Sequence, residues 1–324
     1  MHLRTATPAD TPALYTLWRS TFDAPLMVPV YETDPGRSGR TIVVTGDTTD
    51  RVLASVYWTP REIGGPDGGT WLAGGVANVA SAPEARGRGL VRQALGAAVE
   101  QMAAAGVDVS LLFTGTPDVY RSSGWETFDV PVLSGRPRPA AEPAEPTETL
   151  RPFGEPGDEA QIVRLHDTFD TLDGGSHRPL ATRRDAEHVE RRIPLWYAGA
   201  EVLTARSEAG DVQGYVVLDR DSGSVRVREI GTDPSSRHAT RTVDALAHVT
   251  LRRARHHRTG RLEVRLPAHP LVERFTTAVL ADPRPTTDST GMLRAIRAAP
   301  RSVADLRATT SDGRGGFHWP GDYL

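Results

Sequence analysis

Residues 76–95 read Val-Ala-Asn-Val-Ala-Ser-Ala-Pro-Glu-Ala-Arg-Gly-Arg-Gly-Leu-Val-Arg-Gln-Ala-Leu. The spacing predicts a strand up to Ser81, a tight basic turn over Arg86 to Gly89, and a helix that starts at Leu90 and is closed by Gly106. Amides in the first turn of a helix have no intrahelical acceptors, so Arg86 to Val91 offer main-chain donors to an anion. Gly87 and Gly89 let a ligand approach the backbone closely. Arg86, Arg88 and Arg92 add charge-assisted donors of the kind that grip a pyrophosphate.

Upstream, Leu3 to Ala6 reads as a strand, and Asp10 to Phe22 as a helix with Leu14, Leu17, Trp18 and Phe22 on one face. Residues 23–40 are rich in proline and glycine and are expected to form an irregular lid. Thr41 to Thr45, Val52 to Ile63 and Trp71 to Ser81 read as an antiparallel meander. Downstream come a buried strand at Val109 to Phe113, a short helix over Thr116 to Ser123, and a last strand at Trp125 to Leu133.

The proline density of residues 134–148 cannot sustain a helix or a central strand and marks a boundary. Beyond it the pattern repeats in outline, with a strand at Thr149 to Phe153 and a helix at Asp158 to Phe169. Strands follow at Glu201 to Ala205, Val212 to Leu218 and Val225 to Gly231, then a long helix from Ser236 to His256, a strand at Leu262 to Leu266 and a short helix near Leu271. The second copy has Gly231-Thr-Asp-Pro-Ser-Ser-Arg-His238 where the first has its arginine–glycine turn, so a single anion site is expected. The predicted fold class is α+β, with two tandem domains, each a mixed, mostly antiparallel twisted sheet flanked by helices.

Composition narrows the function. The chain has 324 residues, the size of two ordinary cores. A net charge of −3 gives no field for holding a polyanion, and no basic arm of the nucleic-acid-binding kind is present. Cysteine is absent, which removes disulfides, thiolate nucleophiles and Cys-ligated metal; no metal is expected. Lysine is absent too, so all 38 basic residues are arginine, a bias of the kind a GC-rich genome produces. No run approaches the roughly 20 apolar residues that span a bilayer, and the N-terminus lacks a basic region followed by an apolar one. A cytoplasmic protein without membrane partners is the expectation.

Arg86 to Leu90 after a strand and Ala82-Pro83, together with Tyr120-x-x-x-Gly124-Trp125, resembles the acyl-CoA-binding motif of the GCN5-related N-acetyltransferases (GNAT), and in particular the tandem-domain, enhanced-intracellular-survival (Eis) type. Gly214 to Val217 and Val225 to Ile230 carry the likeness in the second half. The wider family prefers Gly or Ala where this chain has Val91. Members of the Eis branch carry a third, sterol-carrier-like domain, and the roughly 30 residues after Gly291 are too few for one. The mycothiol synthase type is the next nearest resemblance.

The resemblance implies a catalytic domain over 1–135, a proline-rich linker over 136–148, a second, degenerate GNAT-like domain over 149–300 and a tail over 301–324. It implies acetyl-CoA as acyl-donor co-substrate, held by Val79, Ala80, Ser81, Arg86, Gly87, Arg88, Gly89, Leu90 and Val91, with the Val79 amide supporting the thioester oxygen. Tyr120 stands where the branch keeps its general acid; packing on Trp125 is the alternative. In that branch the C-terminal carboxylate assists amine deprotonation, a role open here to Leu324 or Asp322. Aromatic residues in the tail, Phe317 and Trp319, are expected to dock rather than face water.

An amine acceptor is cationic before it reacts, so Asp23, Glu32, Asp34 or Glu62 would favour it. Trp18, Met27, Tyr31 and Trp58 would supply an apolar wall or simply core. The expected activity is direct transfer of acetyl to a small-molecule amine such as an aminoglycoside, a polyamine or a natural-product intermediate. A non-catalytic acyl-CoA or antibiotic binder, and an acyl-CoA decarboxylase or hydrolase, remain the alternatives.

Overall fold

Strands of both halves run in one sheet in a computed structural model, which describes residues 1–46, 51–139, 149–152, 154, 157–172, 174–185, 188–221 and 223–322. The first half contributes β1 (His2–Thr5), α1 (Thr11–Thr21), α2 (Met27–Glu32), β2 (Thr41–Thr45), β3 (Val52–Gly64), β4 (Thr70–Ser81), α3 (Leu90–Ala104), β5 (Val109–Phe113), α4 (Asp118–Arg121) and β6 (Glu126–Pro137). The second contributes β7 (Thr149–Pro152), α5 (Asp158–Phe169), α6 (Ile193–Trp196), β8 (Glu201–Arg206), β9 (Val212–Asp221), β10 (Ser224–Thr232), α7 (Ala239–His256), β11 (Arg261–Val264), α8 (Pro270–Val279), β12 (Leu280–Ala295) and α9 (Pro300–Ala308).

The strand order is β1-β2-β3-β4-β5-β12-β6-β11-β10-β9-β8-β7. Each half therefore hands its last strand to the other: β12 pairs antiparallel with β5, and β6 pairs antiparallel with β11. The β4–β5 and β10–β11 pairs are parallel, at equivalent places in the two halves. The exchange joins the cores. One buried cluster combines Ile63, Val109, Leu111 and Phe128 of the first half with Val216, Leu246, Phe275 and Trp319 of the second.

Local chemistry explains the elements flanking the site. Thr7 donates from its amide and hydroxyl to Asp10, and Arg4 grips the same carboxylate at 2.7 Å through both terminal nitrogens. Those bonds, the Arg4 contact foremost, lower the Asp10 pKa to about 2 and fix the entry to α1. On α3 the buried residues are Leu90, Ala94, Leu95, Ala98 and Met102, a helical stripe whose alanines let the helix lie close on β2 to β4.

Three features differ from the sequence expectation. Residues 27–32 are helical rather than irregular, because Tyr31 packs edge-on against both Trp18 and Tyr57, and Pro29 falls in the first turn, where its missing N–H costs nothing. β6 continues through Arg136 and Pro137, which the sequence placed in the linker, because Ala281 and Leu280 pair with them. Residues 280–295 form a central strand with no sequence forewarning: Pro283 sits at a register shift, and Gly291 passes under Phe128, whose ring a Cβ at 291 would overlap. Residues 140–148 of the proline-rich linker lie outside the described residues.

Candidate active site

β4 and β5 pair only at Ala73–Val109, Gly74–Ser110 and Gly75–Leu111. Past Gly75 the two strands part, and Val76 to Ser81 stay bonded to β3 alone. A bulge in the same stretch sets four β4 residues, Ala77 to Ala80, against three on β3, Ser55 to Tyr57, with Asn78 at φ +50°. Ser55 holds this bulge: its hydroxyl donates to the Asn78 carbonyl at 3.0 Å and accepts from the Trp18 indole at 2.9 Å. Val79, Ala80 and Ser81 thus lie along the open side of a V between two parallel strands.

The turn closing that V has Gly87 at φ +74° and Gly89 at φ +73°, conformations that L side chains avoid. A Cβ on Gly87 would meet nothing within 4 Å, and one on Gly89 only the end of Arg92 at 3.8 Å, so the space over the turn is open. Leu90 is buried and anchors α3 beneath it; Val91 is half-buried. Arg86, Arg88 and Arg92 are exposed, and among the described residues none of them is in an ion pair. Their charges are available to a ligand together with the helix N-terminus.

Tyr120 lies on α4, just beyond β5, in the buried cluster that contains Val76, Ala80 and Leu112. Burial pushes its phenol up to about 12, against a smaller opposing effect of its hydrogen bond with Thr114. Trp125 stands edge-on to it at 6.3 Å, with the Arg294 guanidinium 5.0 Å over the indole. The phenol therefore keeps its proton throughout the neutral range.

Beside the bulge, α1 and α2 enclose a pocket of about 480 Å³ whose walls include Tyr15, Trp18, Phe22, Met27, Asp23 and Glu32. Tyr15 donates to Glu32 at 2.8 Å. Four of the eight acceptor-site candidates from the sequence thus meet here. Tyr31 and Trp58 go instead to the core, 2% and 4% exposed, while Asp34 is buried against Arg40 and the Tyr57 hydroxyl. Glu62 lines a different cavity. Leu324 lies outside the described residues, and Asp322 is buried on Arg184 of the second half, 2.9 Å from its Nε.

Residues 2–128 match the family model described as an acetyltransferase (GNAT) domain. The chain carries a GNAT acetyltransferase domain. Solved structures with the same fold include a probable N-acyltransferase from Enterococcus faecalis V583 (16% identity, TM-score 0.68, covering 91% of this chain and 73% of that one). A GCN5-related N-acetyltransferase from Kribbella flavida is similar at 19% identity and TM-score 0.66, covering 91% and 71%. Eis1 from Mycobacterium abscessus follows at 14% identity and TM-score 0.61, covering 91% and 74%. A comparison with curated protein sequences finds no match. The family match is thus to the first half, and the chain as a whole shares the fold of these structures.

GNAT acyltransferases draw the acyl group from acyl-CoA, and the V of this chain fits such a donor: strands that part, an open glycine turn and exposed arginines at its mouth. The equivalent place in the second half is built differently. β10 also carries a bulge, at Arg228, but Glu229 beside it is buried and takes both terminal nitrogens of Arg184 at 2.7 and 2.9 Å, with the Tyr197 and Tyr215 hydroxyls at 2.9 and 2.5 Å. The tail packs on β10, held by Trp319 donating to Asp170 at 2.6 Å and by the Arg184–Asp322 bond.

Sequence reasoning missed Ser55, Arg184 and Glu229. Ser55 carries no local signal, since a serine within a strand reads as neutral. The other two are brought together across 45 residues by sheet topology alone.

Proposed function

We propose that the first half transfers an acetyl group from acetyl-CoA directly to the amine of a small molecule. The observation that carries this reading is the V between β4 and β5, ending in a turn with two left-handed glycines and open space above it. Bound acetyl-CoA would supply the thioester and, after transfer, leave as a thiol.

The chain's own residues divide the work. Backbone amides of Arg86 to Val91 and the side chains of Arg86 and Arg88 hold the diphosphate. Main-chain groups of Val79, Ala80 and Ser81 align the pantetheine arm, and the Val79 amide donates to the thioester oxygen as charge develops there. Tyr120, whose proton is retained at neutral pH, gives it to the departing sulfur. Without cysteine the chain lacks the most capable acyl-accepting side chain, which favours direct attack.

The pocket beside the bulge suits the acceptor. Its volume of about 480 Å³ is that of a small-molecule site, its walls are aromatic, and Asp23 and Glu32 favour a cationic amine. The second half, with buried Glu229 and the tail at its own parting strands, is assigned a structural role with no acyl-CoA of its own. Release of thiol from acetyl-CoA, measured against a panel of amines, tests donor, acceptor and turnover together; amine-independent release would point to hydrolysis, and absence of release to a binding protein.

A further inference from the structure

A second cavity, of about 550 Å³, opens between β3, the segment 34–40 and, from the second half, residues 183–185 and Arg192. Five arginines line it: Arg40, Arg61, Arg183, Arg184 and Arg192. The acids on its wall are fewer and partly spent. Asp34 is bound to Arg40 and Tyr57, while Glu62 and Asp185 are exposed, and Asp185 has an interaction of its own. Arg184 is already neutralised by Glu229 and Asp322.

Arg61 and Arg192 differ from these. Arg61 is 9% exposed; its Nη1 donates to Thr59 Oγ1 at 3.0 Å and to the Pro60 carbonyl at 2.7 Å, but its Nε and Nη2 are buried with no partner. Arg192 is 3% exposed, with its guanidinium 5.9 Å over the Trp196 ring. Among the described residues no carboxylate is in an ion pair with either. Burial, and next the nearby Arg192 charge, lower the Arg61 pKa to about 10, which still leaves it charged at neutral pH. Two buried cations facing one cavity with no carboxylate in ion-pair contact are expensive unless an anion joins them, and Asp322 and Asp34 act on Arg61 only from a distance.

We infer that this cavity binds a compact oxyanion, a carboxylate or phosphate group shared by Arg61 and Arg192. A planar guanidinium presents paired donors matched to such oxygens, and the free Nε and Nη2 edge of Arg61 is of that kind. The site is separate from the turn at Arg86 to Leu90, and its binding does not rest on acyl transfer. The group arrives either on the acceptor, as a second point of attachment, or as a free anion.

The test is calorimetric titration of inorganic phosphate and of acetate into the full chain carrying Arg86→Ala and Arg88→Ala, which disables the other anion site, at constant ionic strength. Saturable binding is expected, weakened about tenfold or more by Arg192→Gln and abolished by Arg61→Met. If Arg61→Met does not fold, Arg192→Gln decides alone. No saturable binding, or the same affinity in a folded Arg192→Gln protein, overturns the inference. In the otherwise unaltered enzyme, transfer to an amino acid and to its amide separates the two sources. An acceptor carboxylate in the site makes Arg192→Gln raise KM for the acid only; a free anion leaves both KM values moving together, with phosphate still binding the parent chain.

Discussion

Ser55 joins Trp18 to Asn78: one hydroxyl accepts from the indole at 2.9 Å and donates to the bulge carbonyl at 3.0 Å. The wall of the proposed acceptor pocket and the parting strand are thereby two hydrogen bonds apart. Ser55→Ala leaves a buried indole N–H and a carbonyl without partners, a loss of about 1–3 kcal/mol. Denaturant unfolding checks the cost. The same variant should lower kcat, because the Val79 amide follows the bulge; unchanged kcat with the stability loss present would separate the bulge from catalysis.

Tyr120→Phe removes the proposed proton donor and keeps the ring against Trp125. Turnover should fall by about two to four orders of magnitude with little change in KM for acetyl-CoA. With the phenol at about 12, the enzyme should show no alkaline loss from this group until pH approaches that value. A rate equal to that of the parent protein would assign Tyr120 to packing alone.

Arg184→Met strands Glu229 and Asp322 as buried, unpaired carboxylates. Breaking a buried pair from one side costs about 3–5 kcal/mol. Release of the tail from β10 should accompany it, read as faster proteolysis near Trp319. Conversion of Glu229 to Gln should cost less, since the amide still accepts from the tyrosines.

His166 gives the fold a pH dependence. It is buried, with Asp167, Asp170 and Asp322 at 3.5, 3.6 and 3.8 Å and with Arg184 and Glu229 also acting on it. Burial and Arg184 oppose its charge, but the carboxylates prevail and its pKa is raised. The folded state then binds the proton more tightly than the unfolded one, so this contribution is complete below pH 6.5 and is lost as pH rises through the folded value. Glu229 works the other way: burial is outweighed by Arg184, its pKa is lowered to about 2, and its contribution, present above 4.5, is lost as pH falls through about 2. Tm measured from pH 6 to pH 9 should decline in the parent protein and decline less in His166→Gln.

What the sequence disclosed was local chemistry. The strand, turn and helix around Arg86 could be read because period, glycine and capping signals all fall within 20 residues. The α1 stripe of Leu14, Leu17 and Trp18 was legible for the same reason, and the docking of Phe317 and Trp319 followed from their cost in water. β12 was not legible, because its partners Phe113 and Phe128 lie more than 150 residues away and its prolines argue against a central strand. The unpartnered edge of Arg61 was hidden likewise: an arginine in an apolar strand reads as exposed until the second half is packed over it.

On the proposed function, the open turn of the first half, and not the second half, holds acyl-CoA. Calorimetric titration of CoA into the full chain and into Gly87→Val/Gly89→Val addresses it most directly. One site per chain is expected in the parent protein and none in the variant, with the variant still folded. Two sites, or binding that survives in the variant, would contradict it.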